Sequence, residues 1–289
     1  MCLRRNRRDT FPIMVGRWAC DRCGFVAWTR DRSGMREVTG SHLLAHHSDA
    51  LSRSDFRVSW DCPYCATAKT AYDTDGAVAE FKTHLHGHVT DRVADGVHVA
   101  DRVSWDGVVR VDASPTGDEA DALRAHFHGA VGLVVAVTPS PERLVRALDE
   151  RLDAWPRRTV IVSTGEYDFE ATPDVDFEGV GIEMVELDPR LSPDEVGETV
   201  SRILDANRQP GEPVSLEVSV FHQIVAAFDV ERAVSFVRML AARLADTGGV
   251  LQLYVDADED RNVATVLNFL DETIDLTVAV DDDRFVRRP

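Results

Sequence analysis

The sequence predicts an α/β chain, a mainly parallel sheet with flanking helices preceded by two small ββα-like units. Three observations predict it. From about residue 105 onward, short runs rich in Val, Ile and Leu alternate with helical stretches, the pattern of a parallel sheet covered on both faces. An internal repeat at an offset of 42 residues relates 18–49 to 60–91. All five cysteines fall before residue 66, four of them in two C-x-x-C pairs, so the head of the chain has a chemistry that the remainder lacks.

Taken in order, residues 1–15 carry Arg4, Arg5, Arg7 and Arg8 and are expected to form a basic, disordered tail. Two repeat units follow, at 16–50 and 58–92. Each reads W-x-C-x2-C-x18-H-L-x2-H, aligning Trp18 with Trp60, Cys20 with Cys62, Cys23 with Cys65, His42 with His84 and His46 with His88. Two cysteines separated by two residues place both sulfurs on one ion from a tight turn. Two histidines at i and i+4 share one face of a helix. Cys20, Cys23, His42 and His46, and Cys62, Cys65, His84 and His88, thus each offer four N/S ligands to a tetrahedral zinc ion, two ions in all. His47 and His86 are alternative ligands, so the histidine positions are less fixed than the cysteines. A unit this small lacks a core of its own, and zinc contributes ~10–16 kcal/mol to folding such a unit.

Over residues 16–92 the repeat resembles C2H2 zinc fingers, although its 18-residue spacer exceeds the usual ~12. The resemblance implies contact with nucleic acid or with a partner protein. In DNA-reading fingers, helix positions −1, 3 and 6 face the bases. Here those positions hold Met35, Val38 and Ser41, then Ala77, Glu80 and Thr83, none of them suited to a bidentate grip on guanine or adenine. Against that stands a basic N-terminal region, with a net charge of +5 over residues 1–58. Nucleic acid and a protein partner both remain expectations.

Residues 93–104 read as a linker, and 105–285 as the α/β body. Strands are expected at 107–111, 131–137, 158–163, 181–187, 213–219, 250–255 and 274–280. Ser140-Pro141 starts one helix and Ser192-Pro193-Asp194-Glu195 another, the latter with capping-box spacing. A third runs from Asp229 to Asp246 and stops at Gly248-Gly249. The runs Val131–Thr138, Pro213–Ser219 and Leu251–Asp258 resemble a degenerate RecA/KaiC-type domain of haloarchaeal regulators. That resemblance implies a RecA-like sheet. It does not carry a working nucleotide site: there is no G-x4-G-K-[ST], no lysine follows Lys82, and the loop after the first long strand, Thr138–Glu142, has two prolines and no glycine. ATP hydrolysis is therefore not expected, and no catalytic constellation is found. The alternative is a nucleotide sensor or enzyme with a site at the strand carboxyl ends, near Glu217 and near Asp256, Asp258, Glu259 and Asp260. His98, His126, His128 and His222 read as core or surface side chains, and Asp281–Asp283 as a charged tail.

Of the chain's 289 residues 44% are apolar, and its net charge is −18, with −20 on residues 101–289. Acid excess with only two lysines resembles the composition of halophilic archaeal proteins, whose acidic surfaces hold water at high salt. The longest apolar run, Ala130–Val137, is far short of the ~20 residues of a membrane span, and the arginine-rich N-terminus lacks an apolar signal segment. The expected location is the cytoplasm.

Overall fold

A computed structural model describes residues 16–54, 57–164, 172, 175, 177–188, 190, 192–256, 261–281 and 284–288. The expected N-terminal tail, with its four arginines and Cys2, lies outside the described residues, as do Asp258, Glu259, Asp260, Asp282 and Asp283. The chain divides into two compact units. Unit 1 runs up to His98 and takes back Arg284–Val286; unit 2 holds most of the remainder from Val99.

Unit 1 begins with a hairpin, β1 (Gly16–Ala19) and β2 (Val26–Thr29), followed by helix α1 (Arg32–His47). Strands β3 (Leu51–Ser54), β4 (Arg57–Asp61) and β5 (Ala68–Ala71) form a three-stranded antiparallel sheet. Helix α2 (Thr74–Gly87) and the short β6 (Ala94–Asp95) complete the run. Both helices start the same way: the carboxylates of Asp31 and Asp73 accept from the amides of Gly34 and Gly76, satisfying an otherwise orphan donor. Asp31 and Asp73 keep the repeat offset of 42, as do Gly34 and Gly76.

The two repeat units share one core. Trp18, Met35 and Leu43 of the first pack in a single cluster with Trp60, Phe81 and Leu85 of the second. The helices meet at Gly40, where a Cβ would lie 2.6 Å from the Lys82 carbonyl oxygen. Thr39 Oγ1 lies 2.7 Å from His86 Nδ1, and Lys82 donates to Glu37 at 2.6 Å.

Unit 2 opens with a 3-10 segment (Val99–Val103), whose Val99 and Ala100 are fully buried, so the expected linker carries structure. There follow β7 (Val108–Asp112), α3 (Asp118–His128), β8 (Leu133–Val137), α4 (Pro141–Arg151), β9 (Arg158–Ser163) and β10 (Ile182–Glu186). Next come α5 (Pro193–Asn207), β11 (Val214–Val218), α6 (Phe221–Ala227), α7 (Val230–Ala245), β12 (Gly249–Val255), α8 (Arg261–Phe269) and β13 (Leu276–Asp281). The last strand, β14 (Arg284–Arg288), belongs with unit 1, where Arg284–Val286 pair antiparallel with β2.

The seven strands of unit 2 are parallel in the order β10-β9-β8-β11-β12-β7-β13. Helices α3 and α4 carry the chain toward β10, while α5, α7 and α8 carry it back. Right-handed crossovers therefore put the two sets on opposite faces. The packing agrees. Leu133, Val135 and Val137 of β8 join the cluster of α5–α8, and the alternate Val134 and Ala136 join that of α4, as the period of two requires. Every one of the expected strands is present, and Ser192 and Glu195 form the complete capping box.

Candidate metal centres

Each C-x-x-C turn follows directly from its hairpin. In the first, Cys20 N donates to Phe25 O and Gly24 N to Cys20 O, with Gly24 at φ +74°, a conformation that glycine adopts without strain. In the second, Cys62 N donates to Thr67 O, and Tyr64 N donates to Cys62 Sγ at 3.4 Å. The histidines approach from the helix ends. His42 lies in the penultimate turn of α1, stacked on Phe25 at 4.0 Å between ring centres and edge-on to Trp18. His84 lies against Trp60. The paired tryptophans thus wall the inner histidine of each unit.

The first quartet is Cys20, Cys23, His42 and His47, and the second is Cys62, Cys65, His84 and His88, each with one ligand atom per residue within 4.8 Å of the others. Cys20 Sγ to His47 Nε2 is 3.2 Å, Cys23 Sγ to His42 Nε2 is 3.3 Å, and the two Nε2 atoms are 3.2 Å apart. In the second quartet the corresponding distances are 3.3, 3.4 and 3.2 Å. Donors bound tetrahedrally at zinc distances are ~3.3–3.8 Å from one another; these three distances in each quartet match that within a few tenths of an ångström, and the other pairs lie within 4.8 Å. The donor chemistry fits as well: thiolate and neutral imidazole suit zinc. Burial pushes the Cys20 and Cys62 thiols up and holds His42 down at about 4. The imidazole is therefore neutral in the form a metal requires.

One ligand differs from expectation. The fourth member of the first quartet is His47; His46 is exposed and stays outside the quartet, although its ring lies 5.0 Å from that of His42. The two helices end differently. Helix α1 stops at His47, and Ser48 leaves in an extended conformation at φ −141°, so the terminal ring reaches back from i+5. After α2, His88 keeps helical angles and preserves the i, i+4 spacing. The other alternative, His86, stays outside the second quartet, held by Thr39.

Unit 2 places Glu217 in a different role from the one its sequence position suggested. It is fully buried. Oε1 accepts from Arg124 Nε at 2.7 Å and also from Ser219 Oγ, and Oε2 lies 2.9 Å from His128 Nε2. A directed chain feeds it: Tyr254 Oη donates to Gln252, Gln252 Nε2 donates to Ser215 Oγ, and Ser215 Oγ lies 2.9 Å from His128 Nδ1. With Ser215 donating, His128 is the Nε2–H tautomer and donates to Glu217. Burial alone would raise the Glu217 carboxyl, but Arg124, His128 and Ser219 outweigh it and hold it at about 2. Arg124 also donates to Asp121 and to Pro115 O. The carboxylate is thus spent on pairing, as a buried charge must be. Asp256 donates its backbone amide to His222 Nε2 at 2.9 Å. Arg124 and His128 were not singled out as Glu217's partners, because charged residues in a helix read as solvent-facing.

A parallel α/β unit joined to a unit with two Cys/His quartets defines a candidate metal-binding α/β protein. Residues 106–276 match the model of a group described as "Family of unknown function (DUF7504)", and the chain belongs to that family. The match spans most of unit 2 and leaves out both quartets. No curated protein matches the chain. Among solved structures it is similar to a Pyrococcus horikoshii OT3 protein described as "Structural study of Project ID PH0250". That similarity covers 62% of this chain and 83% of the other at 13% identity, with a TM-score of 0.42. Among the described residues, no helix is long and apolar enough to cross a membrane.

Proposed function

We propose that the protein is a zinc-binding, non-catalytic adaptor or regulator. Its two C2H2-type fingers form one recognition module, and unit 2 is a degenerate RecA/KaiC-like domain. The observation that carries this reading is the spacing of the quartet atoms: two S···N pairs and the N···N pair of each lie at 3.2–3.4 Å, and all four ligand atoms lie within 4.8 Å of one another. Cys20, Cys23, His42 and His47 would hold one ion, and Cys62, Cys65, His84 and His88 the other. Four protein donors per ion leave no open position for a reacting water, so the zinc supplies folding energy in place of Lewis-acid chemistry.

The non-catalytic assignment has a second support. The turn joining β7 to α3 stands where a P-loop joins strand to helix. It reads Asp112-Ala113-Ser114-Pro115-Thr116-Gly117-Asp118-Glu119. Against G-x4-G-K-[ST], only Gly117 agrees. Asp118 and Glu119 stand in place of the lysine and the hydroxyl residue, putting negative charge where phosphate would lie.

A protein partner is favoured over base reading. Met35 and Ala77, at base-facing positions, are 2% exposed, and Val38 packs against the shared core. Zinc content tests the first point: two equivalents in the native protein, and none bound tightly in a Cys20→Ser, Cys62→Ser variant. A gel-shift salt series on duplex and single strands tests the second, because phosphate-driven binding falls steeply with salt. Titration with ATP and magnesium should show neither binding nor turnover.

A further inference from the structure

Strands β8 and β11 are neighbours, yet the chain leaves them in opposite directions, toward β9 and toward β12. Their carboxyl ends diverge, and open parallel sheets take ligands in the crevice that such divergence leaves. A cavity of about 200 Å³ lies there, with Val137, Val162, Leu187 and Ile224 in its wall, all of them buried. Exposed side chains of Thr164, Asp188 and Gln223 stand at its mouth.

Size and charge narrow the ligand. An enclosed apolar cavity of about 150 Å³ takes benzene, so this half-open one has room for a ring with a short arm. Among the described lining residues, Asp188 is the sole ionised side chain. Its Oδ1 accepts from Arg190 N at 2.9 Å, and Oδ2 makes no hydrogen bond among the described residues. No arginine, lysine or histidine of the described lining faces it, and residues 101–289 carry −20. Anions are disfavoured, and a cation with an apolar body is matched on both counts.

We propose that this cavity binds a small organic amine, its hydrocarbon body between β8, β9 and α6 and its ammonium group on Asp188. The site is independent of the metal centres, and zinc-loaded protein serves for its test. The probes are phenethylamine, phenethyl alcohol and hydrocinnamate, titrated against the full chain while the methyl resonances of Leu187, Val196 and Ile224 are followed by NMR. The amine should shift these resonances saturably and bind about two- to fivefold more tightly than the alcohol, as one exposed ion pair allows. Hydrocinnamate should bind most weakly. Asp188→Asn should erase the amine's advantage over the alcohol while leaving the alcohol's affinity unchanged. Ala227→Trp, which fills the cavity from α6, should abolish binding of both, with circular dichroism and zinc content unchanged. The proposal is overturned if phenethylamine gives no saturable shift, if hydrocinnamate binds as well as the amine, or if a folded Ala227→Trp protein still binds.

Discussion

Substituting Gly40 by alanine should destabilise unit 1, although the same change in an exposed helix is stabilising. The built Cβ lies 2.6 Å from the Lys82 carbonyl oxygen, 2.7 Å from Lys82 Cβ and 2.9 Å from its carbonyl carbon. Ordinary contact begins near 3.4 Å, so α1 and α2 must separate by ~0.8 Å at a point where the obstacle includes backbone. Helix propensity returns ~1 kcal/mol. Overpacking costs ~1–3 kcal/mol, and a gap of that width forfeits a quarter to a half of the dispersion energy of the contacts it opens. Those contacts lie beside the fully buried Phe81 and Leu85 and beside the Thr39–His86 and Glu37–Lys82 bonds. The net expectation is a loss of ~1–3 kcal/mol. Gly87, near the end of α2, is the control: its Cβ would meet nothing within 4 Å, so Gly87→Ala should be neutral or stabilising by up to ~1 kcal/mol. Urea unfolding of the cobalt-substituted chain reads unit 1 alone through the visible bands of tetrahedral cobalt. A Gly40→Ala midpoint equal to or above that of the parent, or a shift of the same sign in both variants, would refute the reasoning.

Three further outcomes follow from the same geometry. His47→Ala should lose one of the two zinc equivalents in native mass spectrometry, while His46→Ala keeps both. Chelation of zinc should remove hydrogen-exchange protection from α1 and α2 and leave β8, β11 and β12 protected, since unit 2 has its own core. Glu217→Gln should cost unit 2 ~1–3 kcal/mol in chemical denaturation, because it removes one of the two carboxylates paired with the buried Arg124 cation and leaves Asp121 as the other. The pH dependence has the matching sign: a carboxyl held at about 2 against an ordinary 4.5 contributes stability that is present above 4.5 and is lost as pH falls toward 2. The stability of the Gln variant, followed by urea unfolding from pH 5 down to 2, should therefore fall less steeply with acid than that of the parent; equal slopes would count against this role for Glu217.

What was legible in the sequence was what a single physical signal controls. The central strands of unit 2 read because they are buried on both faces, so their apolar runs needed no alternation; Leu133–Val137, Val214–Val218 and Gly249–Val255 are buried at every position. The starts at Ser192 and Asp229 read from side chains that do cap an amide, and the start at Ser140-Pro141 read although Ser140 makes no side-chain cap bond. The burial of the polar residues of α3 did not read, because Arg124 and His128 are met by partners more than eighty residues away, Glu217 and Ser215, and Asp121 and His126 by Arg143 and the Val99 amide. β14 did not read either. Arg284-Phe285-Val286-Arg287-Arg288 is mostly charged, and the fully buried Phe285 lies where the strand pairs with β2. At the metal centres the cysteines and first histidines were fixed by the repeat, but the choice of His47 over His46 depends on where α1 ends, and helix ends are the least determined feature of a sequence. The repeat did hold one unread signal, the Asp-x-x-Gly cap at 31–34 and 73–76, which marks where both helices begin.

The sharing of one core by the two quartets also bears on what the module recognises. Fingers that follow a DNA groove act as separate beads, each turning its own helix into the groove. Here α1 and α2 close on each other at Gly40 and Lys82, and Arg22 stacks over Tyr64 at 5.0 Å, tying one C-x-x-C turn to the other unit. Neither helix can enter a groove alone without opening the core that both depend on. A core this small relies on its staples, so zinc ions in the two quartets would hold the pair closed as well as each unit folded. If the module binds a partner as proposed, its outer surface is what remains to make the contact, and there Tyr72, 74% exposed, lies beneath Arg57 at 5.5 Å. An aromatic capped by a guanidinium is a pairing enriched in protein–protein contacts. Loss of partner binding on Tyr72→Ala, with both zinc equivalents retained, would separate recognition from folding; binding unaffected by that change would move the contact elsewhere on the module.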